Sequence, residues 1–137
     1  MKIAPELLAE IVAHAQEDPR IECCGVVAVR PGSPPVAARV YRATNIHASK
    51  LKFEIDPNEL LRLYNACEAD GCEFGAIYHS HVQSAPYPSQ TDIGFAAKWP
   101  GVEWIIVGLA GEGEPEVRSY LIDGPNVSEV AVEEAAS

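Results

Sequence analysis

Two histidines stand one residue apart in His79-Ser80-His81, directly after the apolar run Phe74–Tyr78. In extended backbone, side chains at i and i+2 share a face, so His79 and His81 project together while Ser80 points away. Paired imidazoles at a strand end suit half of a zinc site, since zinc takes His nitrogen at ~2.0–2.1 Å in tetrahedral geometry. Spacing alone is as compatible with two unrelated histidines, one in the core and one on the surface. Beyond Pro86-Tyr87-Pro88 comes Ser89-Gln90-Thr91-Asp92. Ser89 is a good helix N-cap, and Asp92 three residues on completes a capping-box-like pair worth ~1 kcal/mol. A second reading turns both side chains back toward the strand end. Asp92 is then a third ligand beside the two imidazoles, with the fourth position left for water, as in catalytic rather than structural zinc sites. The two readings coexist at Ser89 and compete for Asp92.

The surrounding pattern predicts the elements that must position these groups. Ile3, Leu7, Leu8, Ile11, Val12 and Ala15 recur at helical spacing over Ile3–Gln16, and Asp18-Pro19 ends that helix. Gly25–Val29 and Val36–Ala43 read as paired strands around the turn Pro31-Gly32-Ser33-Pro34-Pro35, and Leu51–Ile55 as a third strand. Asp56 before Pro57 starts a helix from Asn58 to about Ala69 that turns Leu60, Leu61, Leu63 and Tyr64 toward a core. Phe74–His81 is a strand and Ser89 to about Lys98 a third helix. Trp104–Leu109 is a buried strand, 111–115 a turn, Val117–Ile122 a strand and Val127–Val132 an edge strand. The order α-β-β-β-α-β-α-β-β-(β) is that of an α/β fold, a mixed sheet with helices packed on it, within a single domain spanning 1–137.

Composition narrows the function. At 137 residues with 47% hydrophobic and 22% charged side chains, the chain can build one core and is not disordered. Ten Lys+Arg against twenty Asp+Glu leave a net charge of −10, which argues against nucleic acid or an anionic membrane as partner. The charge is uneven: 111–137 hold seven acidic residues and one Arg, whereas 20–62 hold seven basic and four acidic. No apolar stretch approaches the ~20 residues of a membrane span, and no export signal precedes Pro5-Glu6. A cytoplasmic location with reduced thiols is expected for Cys23, Cys24, Cys67 and Cys72. The Cys67/Cys72 spacing tolerates a structural zinc, completed by Cys23 or Cys24; a small buried side chain is the competing reading of Cys67. The H-x-E and P-C-x-x-C pattern of zinc nucleobase deaminases is absent. His14 reads as a surface helix residue, and His47 lies on a loop able to approach the site.

His79-Ser80-His81, seven residues, Ser89, two residues and Asp92 together resemble the H-x-H-x(7)-S-x-x-D signature of the JAMM (MPN-type) zinc metallopeptidases. The resemblance extends over nearly the whole chain: Glu22 in Glu22-Cys23-Cys24-Gly25, Thr44-Asn45, Phe53-Glu54-Ile55-Asp56 and Gly75-Ala76-Ile77-Tyr78 all fit. Where many members carry Pro after the second His, this chain has Val82. The similarity implies a mixed, curved β-sheet packed against about three helices, the cytidine-deaminase-like arrangement. It implies zinc held by His79, His81 and Asp92, Glu22 as general base, and Ser89 donating to the oxyanion. Short prokaryotic members act on ubiquitin-like sulfur-carrier proteins. The expected substrate is therefore an amide after the C-terminal Gly of such a carrier, with a Gly-Gly tail and cysteine as the favoured leaving group. A general (iso)peptidase of the same family and a non-catalytic MPN-type scaffold are the alternatives; scaffolding members have typically lost the ligands that this chain keeps. The oligomeric state is not legible.

Overall fold

The computed structural model describes residues 1–111 and 113–135. Along them run β1 (Lys2–Ile3), α1 (Pro5–Glu17), β2 (Cys24–Arg30), β3 (Val36–Ala43), α2 (Pro57–Ala69), β4 (Glu73–His81), α3 (Gln90–Ala96), β5 (Glu103–Gly108), β6 (Glu116–Asp123), β7 (Asn126–Val130) and β8 (Glu133–Glu134). The expected turn at 111–115 includes Glu112, which lies outside the described residues. The strands form one mixed sheet in the order β7-β6-β5-β4-β2-β3-β1-β8. β4 and β5 are parallel, as are β1 with β3 and β1 with β8; the other pairs are antiparallel. β7 and β8 end the order at opposite sides, yet only Ala131 and Val132 separate them in sequence. Three peptide steps reach at most about 11 Å, so the sheet curls until its two edges are neighbours. This is the α/β arrangement expected, with three helices on a curved mixed sheet.

Alternation along the strands divides the core between the two faces. Val27, Ala76, Tyr78, Ile105 and Val107 pack with Ile11 and Ala15 of α1. Cys24, Val26, Ile77, Trp104 and Ile106 pack on the other face with Phe53, Ile55 and Ala96. Gly25 lies opposite Tyr78 in the ladder, and a Cβ there would collide with the Tyr78 ring and the Tyr41 carbonyl. In α1 the proline at the first turn lacks only an N–H that has no helical partner there. In α2 the Asp56 carboxylate accepts the Asn58 N–H at 2.8 Å.

Three expectations are corrected. Leu51–Ile55 is not a strand; a single bridge joins Ile55 to Asn45. Its alternation is real, since Phe53 and Ile55 are buried, but the Asn45 side chain rather than a neighbouring strand takes up the backbone groups of Lys52 and Glu54. Leu61 and Tyr64 are exposed, because the buried stripe of α2 runs through Leu60, Leu63 and Cys67 instead. β1 and β8, two residues each, are too short to show a period and were not anticipated.

Candidate active site

β4 sits between β2 and β5, and its last residues bring the histidine pair to the face that holds Ile77 and Trp104. The Nε2 atoms of His79 and His81 are 3.0 Å apart, and Asp92 Oδ2 lies 3.1 and 3.2 Å from them. Tetrahedral coordination at ~2.05 Å places neighbouring donor atoms about 3.3 Å apart. The three atoms therefore outline one face of such a tetrahedron. His81 Nδ1 donates to the Ala85 carbonyl at 2.8 Å, which leaves its Nε2 lone pair for the site. His79 is fully buried, stacks on Phe53 with centroids 4.4 Å apart, and its Nδ1 has no hydrogen-bond partner among the described residues. The donor set of two imidazoles and a carboxylate fits zinc.

The competition foreseen for Asp92 does not arise. Its Oδ2 accepts the Ser89 N–H at 2.9 Å while the Asp92 N–H donates to Ser89 Oγ at 3.1 Å, a complete capping box. The same Oδ2 faces both imidazoles, so capping α3 and facing the histidines are one arrangement. Ser89 Oγ accepts from the helix and keeps its own proton to donate. Val82 does not loosen the loop that follows: the Tyr120 hydroxyl donates to the Pro86 carbonyl at 2.5 Å, and Leu109 N–H to His81 O at 3.0 Å. Gly108 permits this closure, since a Cβ there would stand 2.8 Å from Pro86 Cδ.

Register brings Glu22 in. Cys24 pairs with His79 in the antiparallel β2–β4 ladder, so two residues earlier Glu22 falls on the same face, level with His81. One Glu22 carboxylate oxygen and one nitrogen from each histidine lie within 4.8 Å of one another. Unlike Asp92, Glu22 makes no side-chain hydrogen bond among the described residues. Ser80, on the opposite face of β4, accepts the Cys23 N–H at 2.9 Å and locks the two strands here. Glu22 lies outside the ladder. Its N–H donates to Ser49 O at 2.7 Å, and its carbonyl accepts from Asn45 Nδ2 at 3.0 Å.

Burial pushes the Glu22 carboxyl up to about 7, opposed by His81 and reinforced by Asp92. Burial works against charge on Asp92 too, but the two imidazoles and the Ser89 amide hold it well below the usual carboxylate range. Burial keeps His79 below the ordinary imidazole value. At His81 burial is outweighed by the hydrogen bonds to Asp92 and Ala85, and its pKa rises. Two carboxylates in one cleft are thus driven apart, one permanently ionised and one near neutrality.

The remaining candidates lie elsewhere. All four cysteines are free and buried, and none belongs to a metal-capable cluster among the described residues. Cys67 and Cys72 pack on Ala28, and burial pushes the Cys24 thiol up to about 12. Cys23 lines the cavity beside Glu22. His14 is half-buried rather than a surface residue, with Nδ1 2.7 Å from the Tyr78 hydroxyl. His47 pairs with Glu54 at 2.9 Å. Sequence reasoning missed the structural part played by Asn45 and Phe53, although both lie in segments that carried the resemblance.

Residues 4–123 match the family model Prok-JAB, prokaryotic homologs of the JAB domain. The chain belongs to this family. Among curated relatives, the CysO-cysteine peptidase of Mycobacterium tuberculosis is 33% identical over 123 residues, 89% of this chain and 83% of that protein. The desampylase of Haloferax volcanii is 34% identical over 138 residues, 97% of this chain and 96% of that protein. A solved protein from Desulfitobacterium hafniense superposes with a TM-score of 0.84 at 27% identity, covering 98% of this chain and 93% of its own. A solved JAMM domain, described as a metalloprotease-like zinc site in the proteasome and signalosome, superposes at 0.60 and 20% identity over 99% of this chain and 98% of its own, a likeness of fold. This prokaryotic JAB protein is a peptidase of the JAMM/MPN type. Among its described residues no helix is long and apolar enough to cross a membrane.

Proposed function

We propose that this chain is a zinc-dependent hydrolase of the amide bond after the C-terminal Gly of a small ubiquitin-like carrier protein. The observation that carries the reading is the convergence of His79 Nε2, His81 Nε2 and Asp92 Oδ2 within 3.2 Å of one another, with the raised-pKa carboxyl of Glu22 beside them. Its relatives named CysO-cysteine peptidase and desampylase support a carrier conjugate as substrate. A carrier with a flexible Gly-Gly tail suits a domain of this size, and a cysteine adduct is one such substrate. A single domain acting in the cytoplasm is the setting proposed.

His79, His81 and Asp92 would hold the metal. Zinc so bound supplies Lewis-acid activation of a water and of the scissile carbonyl. Glu22 would take the proton from the attacking water and return it to the leaving nitrogen; in the metal-free site burial lifts its carboxyl to about 7. Ser89 donates its free hydroxyl proton to the carbonyl oxygen as negative charge gathers there. The Ala85 carbonyl and the Phe53 ring orient the two imidazoles.

Purified protein, zinc-loaded and then stripped with chelator, is incubated with a carrier ending Gly-Gly joined to cysteine and with the same carrier joined to a lysine side chain. Cleavage of either conjugate at the terminal Gly, lost on stripping and restored by zinc, is expected. No cleavage of either by metal-loaded protein would sink the reading and favour a non-catalytic scaffold.

A further inference from the structure

We propose that Asn45 is the positioning residue for Glu22, fixing the backbone from which the Glu22 carboxylate reaches the histidine pair; this rests on Glu22 acting as the base. Glu22 precedes the first residue of β2, so the ladder that aligns His79 and His81 does not hold it. Both of its backbone polar groups are instead satisfied by the 45–55 segment. Asn45 Nδ2 donates to Glu22 O, and Ser49 O accepts from Glu22 N.

Asn45 is buried, 8% exposed, and all its side-chain hydrogen-bonding capacity is engaged. Nδ2 donates to Glu22 O and Lys52 O, both at 3.0 Å. Oδ1 accepts from His47 N at 3.1 Å and Glu54 N at 3.2 Å. The opposite amide orientation would set oxygen against two carbonyls and nitrogen against two N–H groups, so the partners determine which atom is which. Asn45 therefore does two things. Its oxygen and one N–H close the 45–54 loop on itself, and its other N–H ties that loop to the base. The same segment carries Phe53 onto the His79 ring, so one loop sets the spacing between base and ligand.

Asn45→Asp keeps the two acceptor bonds that shape the loop but places an oxygen against the Glu22 and Lys52 carbonyls. Asn45→Ala removes both functions. Ser49→Ala is the control: it deletes the Leu51 N–H to Ser49 Oγ bond, 3.0 Å long, and leaves the backbone contact to Glu22 intact. In zinc-loaded full-length chain, Asn45→Asp and Asn45→Ala should lower kcat by roughly 10–100-fold, the scale of a reacting group misplaced by ~1 Å. KM and zinc content should stay as in wild type, and Ser49→Ala should keep wild-type kcat. Hydrogen exchange at the Glu22 amide gives a second, activity-independent readout: protection should fall at least tenfold in Asn45→Asp but not in Ser49→Ala.

Wild-type kcat in both Asn45 variants would overturn the proposal, as would undiminished protection of the Glu22 amide in Asn45→Asp. Failure of the wild-type chain to cleave any carrier conjugate would instead remove the hydrolase reading. The exchange experiment would still decide whether Asn45 anchors residue 22.

Discussion

Replacing Glu22 by Gln should make the metal-free protein more stable above neutrality while abolishing its chemistry. Burial lifts the Glu22 carboxyl from an ordinary 4.5 to about 7. Between those values the fold retains a proton that the unfolded chain has released, so stability falls as pH rises through this window and the loss is complete above about 7. At about 1.4 kcal/mol per pH unit the ceiling is about 3.4 kcal/mol. Solvent screening at the cleft reduces this to about 1.5 kcal/mol. For a domain of this size that corresponds to about 5 °C in Tm. Gln keeps the shape without the charge and removes the penalty. The assay compares melting of chelator-treated wild type and Glu22→Gln at pH 4.5, 6 and 8. The histidines and Asp92 titrate in both proteins, so the difference between them reports Glu22 together with its electrostatic coupling to His81 and Asp92. It should be near zero at pH 4.5 and grow to about 5 °C in favour of Gln at pH 8. Parallel curves would mean that the carboxylate ionises as freely in the fold as in water, and the argument for a base poised near neutrality would fail. The zinc-loaded Gln variant should bind carrier normally and leave its Gly amide uncut in single turnover; wild-type rates at matched zinc content would remove Glu22 from the mechanism.

Elemental analysis should find one zinc per chain in wild type and none in His79→Ala; equal zinc in both would sink the assignment, and loss only on Cys67→Ala or Cys72→Ala would favour the cysteines. Ser89→Ala should retain zinc, lose ~1 kcal/mol of stability as a cap, and slow turnover by about 10²–10³. Normal turnover with the stability loss alone would reduce Ser89 to a capping role. Gly25→Ala should cost at least ~1–3 kcal/mol in denaturant melts, because its methyl meets the Tyr78 ring and a backbone carbonyl; an unchanged midpoint would show that the β2–β4 ladder gives way there.

Much of the site was readable because it depends on short-range geometry. His79 and His81 share a face through the strand period, and Ser89-x-x-Asp92 is a helix start whichever chemistry it serves. Glu22 was not readable from spacing. Its place depends on a register between strands more than fifty residues apart, and only the family resemblance singled it out. Asn45 lay further out of reach, since its importance comes from which carbonyls surround it. The error at Leu51–Ile55 has the same origin: alternation reports that Phe53 and Ile55 are buried, not whether a strand or an amide side chain takes the backbone hydrogen bonds. Leu61 and Tyr64 show the complementary limit, for an apolar run on a helix does not say where the core stops.

The curl that brings β7 within two residues of β8 also bears on self-association. An open sheet ends in unpaired N–H and C=O groups that can recruit a second molecule and start aggregation. Here the outer side of β1 is covered by β8, and the Ala135 N–H adds a further bond to the Ile3 carbonyl. The strand left at that border is two residues long, both of them exposed glutamates. Another copy pairing along it would lay carboxylate against carboxylate. The two glutamates thus act as a fence along this border of the sheet and turn away like molecules that would dock there as strands; β7 forms the other border.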